Sequence, residues 1–235
     1  TDVDGTANLF TVGSGASSYG TYTMTTGGVW NYTLNDSNST VQALVAGTSM
    51  TDTFTVQAAD GTSQSITVTI AGASDAAVIS GSAIANVTEA GGVNNGTAGT
   101  PTASGTLTST DVDGTANLFA PTSGTSSYGS YTMTSGGAWT YTIDNNNQTV
   151  QALAANATTT DTFTVAAADG TSQTVTVTIA GTNDGPTVTA GAQSAALVEA
   201  GGVSNGSAGS ASATIALTKG DVDGTATYDA NWLTS

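Results

Sequence analysis

The chain contains no cysteine and no histidine, and Lys219 is its one basic residue against 17 acidic ones. Each absence removes a class of function. Without cysteine there is neither a disulfide framework nor a thiolate metal site, and compartment cannot be read from cysteine usage. Without histidine the usual zinc ligands and the usual general base near neutral pH are missing, which leaves carboxylates for any acid–base work. A formal charge of −16 disfavours nucleic acid and anionic membrane surfaces, because phosphate binding draws on Lys and Arg. Cations are the natural partners. No apolar run approaches the ~20 residues that span a bilayer, so no membrane insertion is expected of this segment, and no signal peptide is visible in it. Large apolar residues are also few. Leu, Ile, Val and Phe fill 39 of 235 positions, a share that composition alone associates with disorder when net charge is high.

Pattern decides against disorder. Thr-Asp-Val-Asp-Gly-Thr-Ala-Asn-Leu-Phe stands at Thr1–Phe10 and again at Thr110–Phe119, 109 residues on, and Asp221-Val222-Asp223-Gly224-Thr225-Ala226 opens a third copy. The same offset relates Trp30 to Trp139, Tyr32 to Tyr141, Asp52-Thr53-Phe54 to Asp161-Thr162-Phe163, and Asp60-Gly61 to Asp169-Gly170. Between Asp75/Asp184 and Glu89/Glu199 the offset becomes 110, which places one insertion in a loop or linker. A period near 110 is too long for a solenoid unit and suits a self-contained sandwich domain.

Within a copy, Ile66-Thr67-Val68-Thr69-Ile70, Phe54-Thr55-Val56 and Tyr22-Thr23-Met24 alternate with the period of strands that bury one face. Tyr22-Thr23-Met24 and Trp30-Asn31-Tyr32-Thr33-Leu34 flank Thr26-Gly27-Gly28, a hairpin signature that the second copy repeats. Ala58-Ala59-Asp60-Gly61 joins two further strands in the same way. Roughly seven to nine strands per copy are expected, spaced as in an antiparallel sandwich. The fold class expected is therefore all-β: tandem Ig-like or cadherin-like antiparallel β-sandwich repeats of about 110 residues. Residues 1–75 read as the C-terminal part of one repeat, 76–184 as a complete repeat and 185–235 as the N-terminal part of the next, so that the chain, which begins without Met, reads as an excerpt of something longer.

These elements resemble the VCBS repeats of giant RTX-type bacterial surface adhesins: Glu-Ala-Gly-Gly, Asp-Val-Asp-Gly, Tyr-Gly-x-Tyr-Thr-Met, Gly-Gly-x-Trp-x-Tyr-Thr, Val-Gln-Ala-Leu and Thr-Asp-Thr-Phe-Thr-Val recur in fixed order. The ends of the copies are similar to cadherin repeats, where Ala168-Asp169-Gly170 is followed by Gly181-Thr182-Asn183-Asp184-Gly185-Pro186. The resemblance implies Ca2+ at the repeat junctions. It implies Glu89, Asn183, Asp184, Asp221 and Asp223 as ligands after the complete copy, and Asp75, Asp111, Asp113 and Asp169 before it. Asp2, Asp4, Asp60 and Glu199 are the corresponding residues of the partial copies. The Asp-Arg-Glu motif of cadherins has no counterpart, since the segment before Phe163 reads Ala154-Ala155-Asn156-Ala157-Thr158. Fewer or weaker ions per junction should follow. The chemistry is consistent with this, because calcium takes six to eight hard oxygen donors at ~2.3–2.6 Å. Asp-Gly pairs are equally what tight turns demand, so each acid also has a purely structural reading.

Three functions are weighed. The first is a non-enzymatic extender of a secreted adhesin or filament, extracellular, rigidified by calcium and serving cell adhesion or biofilm attachment. Its partners are neighbouring repeats or other copies in a filament. The second is a glycan- or partner-binding module that uses Trp30/Trp139 with Tyr22/Tyr131 and Tyr32/Tyr141 as a platform, although such residues more often fill a core. The third is a self-assembling filament or surface-layer subunit. Asp52-Thr53 and Asp161-Thr162 set a carboxylate beside a hydroxyl, but no base or oxyanion donor accompanies them, and an enzyme is not expected.

Overall fold

A computed structural model describes residues 8–114, 116–190, 196–210, 212 and 217–224. The chain forms two compact units. The first takes the chain up to Ser80 together with Thr108–Ala120 and Ala166–Ser172, and the second takes Gly81–Leu107, Pro121–Val165 and the chain from Gln173 on.

In the first unit β1 (Gly13–Ala16), β2 (Gly20–Met24) and β3 (Trp30–Leu34) form an antiparallel sheet, α1 (Ser39–Gln42) is a single helical turn, and β4 (Ser49–Gln57) pairs with β5 (Ser63–Ala71). The expected hairpins are there: Met24 faces Trp30 across the β2–β3 turn, and Gln57 faces Ser63 around Asp60-Gly61. The short helical turn starts at Asn38, whose side chain accepts from the Thr40 and Val41 amides, which would otherwise lack partners at a helix start.

The second copy adds β6 (Val78–Gly81), β7 (Ile84–Thr88), β8 (Thr102–Thr110), β9 (Thr122–Thr125), β10 (Gly129–Met133), β11 (Ala138–Ile143), α2 (Gln148–Gln151), β12 (Thr158–Ala166) and β13 (Ser172–Ala180). That is eight strands, within the number expected. One sheet runs β6-β8-β11-β10-β9 and the other β12-β13-β7. Beyond them β14 (Thr187–Ala190) pairs with β15 (Leu217–Gly220). One pairing differs from the antiparallel expectation: β7 runs parallel to β13, with Ile84 opposite Thr176 and Thr88 opposite Ala180. The chain leaves one sheet after β6 and enters the other at β7, and the strands between β7 and β13 supply the long crossover that a parallel pair needs.

The core lies between the two sheets. Phe163 of β12 stacks on Tyr131 of β10 at 4.3 Å between ring centroids and takes Trp139 of β11 edge-on at 5.8 Å. Trp139 is 1 % exposed and Tyr141 fully buried, with Val175, Val177 and Ile179 of β13 beside them in the core. Trp139 is also held by a bond from its Nε1 to the Ser82 carbonyl at 2.8 Å. Gly105 is required under it, because a Cβ there would lie 2.6 Å from the ring. A few large aromatics, each burying far more area than an aliphatic side chain, are what lets a chain this poor in Leu, Ile, Val and Phe own a core. Thr lines the outward positions of the same strands, which is why the alternation was readable.

Candidate functional site

Two clusters of acids stand at the ends of the second copy, one within each unit. In the first unit a cavity of about 240 Å³ is lined by Asp75, Asp111, Asp113 and Asp169 together with Val45 and Ala116. Its carboxylates are engaged by backbone donors. The Asp75 amide donates to Asp113 Oδ2 at 3.2 Å and the Asp113 amide to Asp111 Oδ1 at 3.3 Å. Asp169 accepts from the Ala77 amide at 2.8 Å and from both the amide and the hydroxyl of Thr171. These bonds hold the Asp169 carboxyl below the usual range. The shared hydrogen bond with Asp113 raises Asp111.

The second cluster is different. Glu89 follows β7 and is fully buried, and Asp184 follows β13 and is 4 % exposed. The Thr182 amide donates to Glu89 Oε1 at 2.9 Å, and the Asp184 amide donates to Asp223 Oδ2 at 3.0 Å. In each case the other carboxylate oxygen is left without a partner. Glu89 Oε2, Asp184 Oδ2, Asp221 Oδ1 and Asp223 Oδ1 are all buried and unbonded. Burial pushes the Glu89 carboxyl up to about 7; the Thr182 amide opposes this and the charges of Asp184 and Asp223 add to it. Burial, then the charges of Asp223 and Asp221, raise Asp184 as well. A buried carboxylate oxygen without a donor is costly, and protons or an external positive charge would relieve that cost at these four. Among the described residues no three acidic side chains stand close enough together to hold a metal ion as they are placed. The donor set is nevertheless all-oxygen and hard, which suits calcium better than softer metals.

The remaining expected residues lie apart. The Asn183 side chain donates to the Asp184 carbonyl. Asp60 caps its own turn through Thr62, and Glu199 is exposed. Asp2 and Asp4 lie outside the described residues.

Two sets of polar residues were not anticipated. Asp161, 3 % exposed, accepts from the Ser126 and Tyr141 hydroxyls and from the Ser127, Tyr128 and Thr162 amides. Asp52 accepts from Ser17, Ser18, Tyr19, Tyr32 and Thr53 in the same way. The carboxylate beside a hydroxyl noted in the sequence is thus a buried staple. Its one available signal was that every partner recurs at the same 109-residue offset. The second set, Asn95, Asn145 and Gln151, sits beside Asp184. With the Asn95 amide oriented to satisfy both its ends, its two N–H groups are shared among Asp184 Oδ1 at 3.3 Å, the Ala90 carbonyl at 2.9 Å and Gln151 Oε1 at 3.2 Å, while its oxygen accepts from Asn145 Nδ2 at 3.1 Å.

Two facing sheets with an aromatic core between them define a β-sandwich repeat. The family model described as the bacterial cadherin-like domain matches residues 74–181, so that segment is similar to a cadherin-like repeat of the bacterial type. Among solved structures, the protocadherin gammaB4 extracellular domain is similar at 14 % identity with a TM-score of 0.40, covering 94 % of this chain and 31 % of that one. A Ca2+-stabilized adhesin that helps an Antarctic bacterium reach out and bind ice is similar at 16 % identity with a TM-score of 0.25, covering 80 % of this chain and 44 % of that one. The chain spans less than half the length of either. No curated protein matches it.

Proposed function

We propose that this chain is a non-enzymatic extender segment of a secreted bacterial surface adhesin or filament, in which successive cadherin-like repeats are stiffened by calcium at their junctions and serve attachment or biofilm formation. The observation that carries this reading is the set of four buried, unbonded carboxylate oxygens on Glu89, Asp184, Asp221 and Asp223. These residues would hold the ion, with backbone carbonyls and water completing the six to eight oxygens that calcium takes. Asp75, Asp111, Asp113 and Asp169 would serve the preceding junction. Calcium supplies the positive charge that neighbouring carboxylates need, since two of them 4 Å apart repel by up to ~4 kcal/mol at an effective dielectric near 20. A rigid junction turns a string of repeats into a rod.

The glycan-platform reading loses the aromatics of the second copy, because Tyr131, Trp139 and Tyr141 pack around Phe163; in the first copy Trp30 is exposed but meets Phe54 edge-on. A catalytic role for Asp161-Thr162 loses its carboxylate to the buried staple. Small-angle scattering and thermal melting of the whole chain, at ~1 mM calcium and in chelator, test the proposal. The expected result is a longer particle with a higher melting temperature in calcium. Identical scattering and melting in the two conditions would contradict it.

A further inference from the structure

Glu89, Asp184 and Asp223 each have one oxygen tied down by an N–H and the other left free. For Glu89 and Asp223 the donor is a backbone amide, Thr182 and Asp184 respectively. For Asp184 it is the side chain of Asn95. Asn95 belongs to the loop after Glu89. Gly91 and Thr97 pair across the base of that loop, and the Gly92 amide donates to the Asn183 carbonyl at 2.8 Å, which lays the loop along Asn183–Asp184. The backbone at Asn95 is left-handed, with φ at 56°, and Asn205 repeats it at 58° in the next copy. Asparagine tolerates this conformation better than most residues. Behind it the amide is braced by Asn145 and Gln151, the latter the last residue of α2. Asn145 also accepts from the Ala90 amide at 3.0 Å.

We infer that Asn95 is a positioning residue of the junction cation site: its amide, braced by Asn145 and Gln151, holds Oδ1 of Asp184 so that Oδ2 is presented to the ion. This rests on the calcium reading above. It also assigns a role to uncharged amides in a repeat that lacks the Asp-Arg-Glu motif. A metal ligand whose second oxygen is fixed by a hydrogen bond binds better because it is already oriented, and loss of such an outer partner typically weakens metal binding roughly 10–100-fold.

The test is a calorimetric calcium titration of the whole chain, paired with melting in chelator. Glu89→Gln identifies which binding step belongs to this site. Asn95→Gly keeps the left-handed backbone without strain and removes only the amide. It should weaken that step roughly tenfold or more, beyond any effect of its lost bonds to Ala90, Asn145 and Gln151 on melting in chelator. Asn145→Ala removes a brace and should weaken the same step by a smaller factor; it carries the test if Asn95→Gly does not fold. Wild-type chain that takes up no calcium would overturn both the calcium reading and this inference. Wild-type binding that is lost in Glu89→Gln but intact in both amide variants would overturn this inference alone. A lower melting temperature in chelator with unchanged affinity would make Asn95 structural only, and would also overturn it.

Discussion

Asp75 and Asp184 occupy the same place in two copies of one pattern, yet Asp75 is exposed and Asp184 is buried. The difference lies in what covers them. The loop from Gly91 to Thr97, which follows Glu89, lies along Asp184, whereas Asp75 stands at an open cavity with Asp111, Asp113 and Asp169. The same contrast recurs in the aromatics. Trp139 is 1 % exposed beneath Ser82 and Gly105, whereas Trp30, which meets Phe54 at the same 5.8 Å, is 43 % exposed. The same hairpin is therefore covered in one copy and open in the other, and burial leaves Glu89 and Asp184 with carboxylate oxygens that no donor reaches.

The sharpest way to break this comparison is at the tryptophans. Trp139→Ala should destabilise by about 3–5 kcal/mol, the usual cost of emptying a large aromatic site in a core. Trp30→Ala should cost well under half of that, and equal losses in urea unfolding would show that covering is not what separates the copies.

The buried staples should behave alike, because both are complete. Asp161→Ala strands the Ser126 and Tyr141 hydroxyls and should cost about 3 kcal/mol, with Asp52→Ala similar. Burial pushes the Asp52 carboxyl up, but the hydrogen bonds from Ser17, Tyr32, Tyr19 and Ser18 outweigh it and hold the group at about 2, below its ordinary 3.8. A depressed folded value means that the contribution is complete above about 3.8 and is lost as pH falls through about 2. Acid melting of wild type against Asp52→Ala should therefore converge only near pH 2.

The last effect concerns Glu89 without calcium. Its carboxyl is raised from 4.5 to about 7, so the folded state keeps a proton that the unfolded chain has released. Stability in chelator should fall as pH rises from about 4.5 to 7. Glu89→Gln should remove that part of the slope in a melting series, and an unchanged slope would show that Glu89 is not the group responsible.

Much of the fold was legible because strands and hairpins are local. The alternation of Ile66-Thr67-Val68-Thr69-Ile70, the Gly-Gly turns and the 109-residue offset need no tertiary knowledge. The turns α1 and α2 escaped because four residues carry no helical period; only their caps, Asn38 and Asn147, mark them. The parallel β7–β13 pair joins residues 92 apart, from Thr176 to Ile84, and no local pattern encodes it. At the site, the junction acids Glu89, Asp184 and Asp223 stand out by residue type, whereas Asn95 does not: an asparagine in a Gly-rich loop looks like turn chemistry until its amide is found against Asp184.

Diffraction from crystals of this chain grown in millimolar calcium tests the cage most directly. The expected result is an ion at about 2.3–2.6 Å from Glu89 Oε2, Asp184 Oδ2, Asp221 Oδ1 and Asp223 Oδ1. Finding those four oxygens still unbonded, with no ion among them at that concentration, would contradict it.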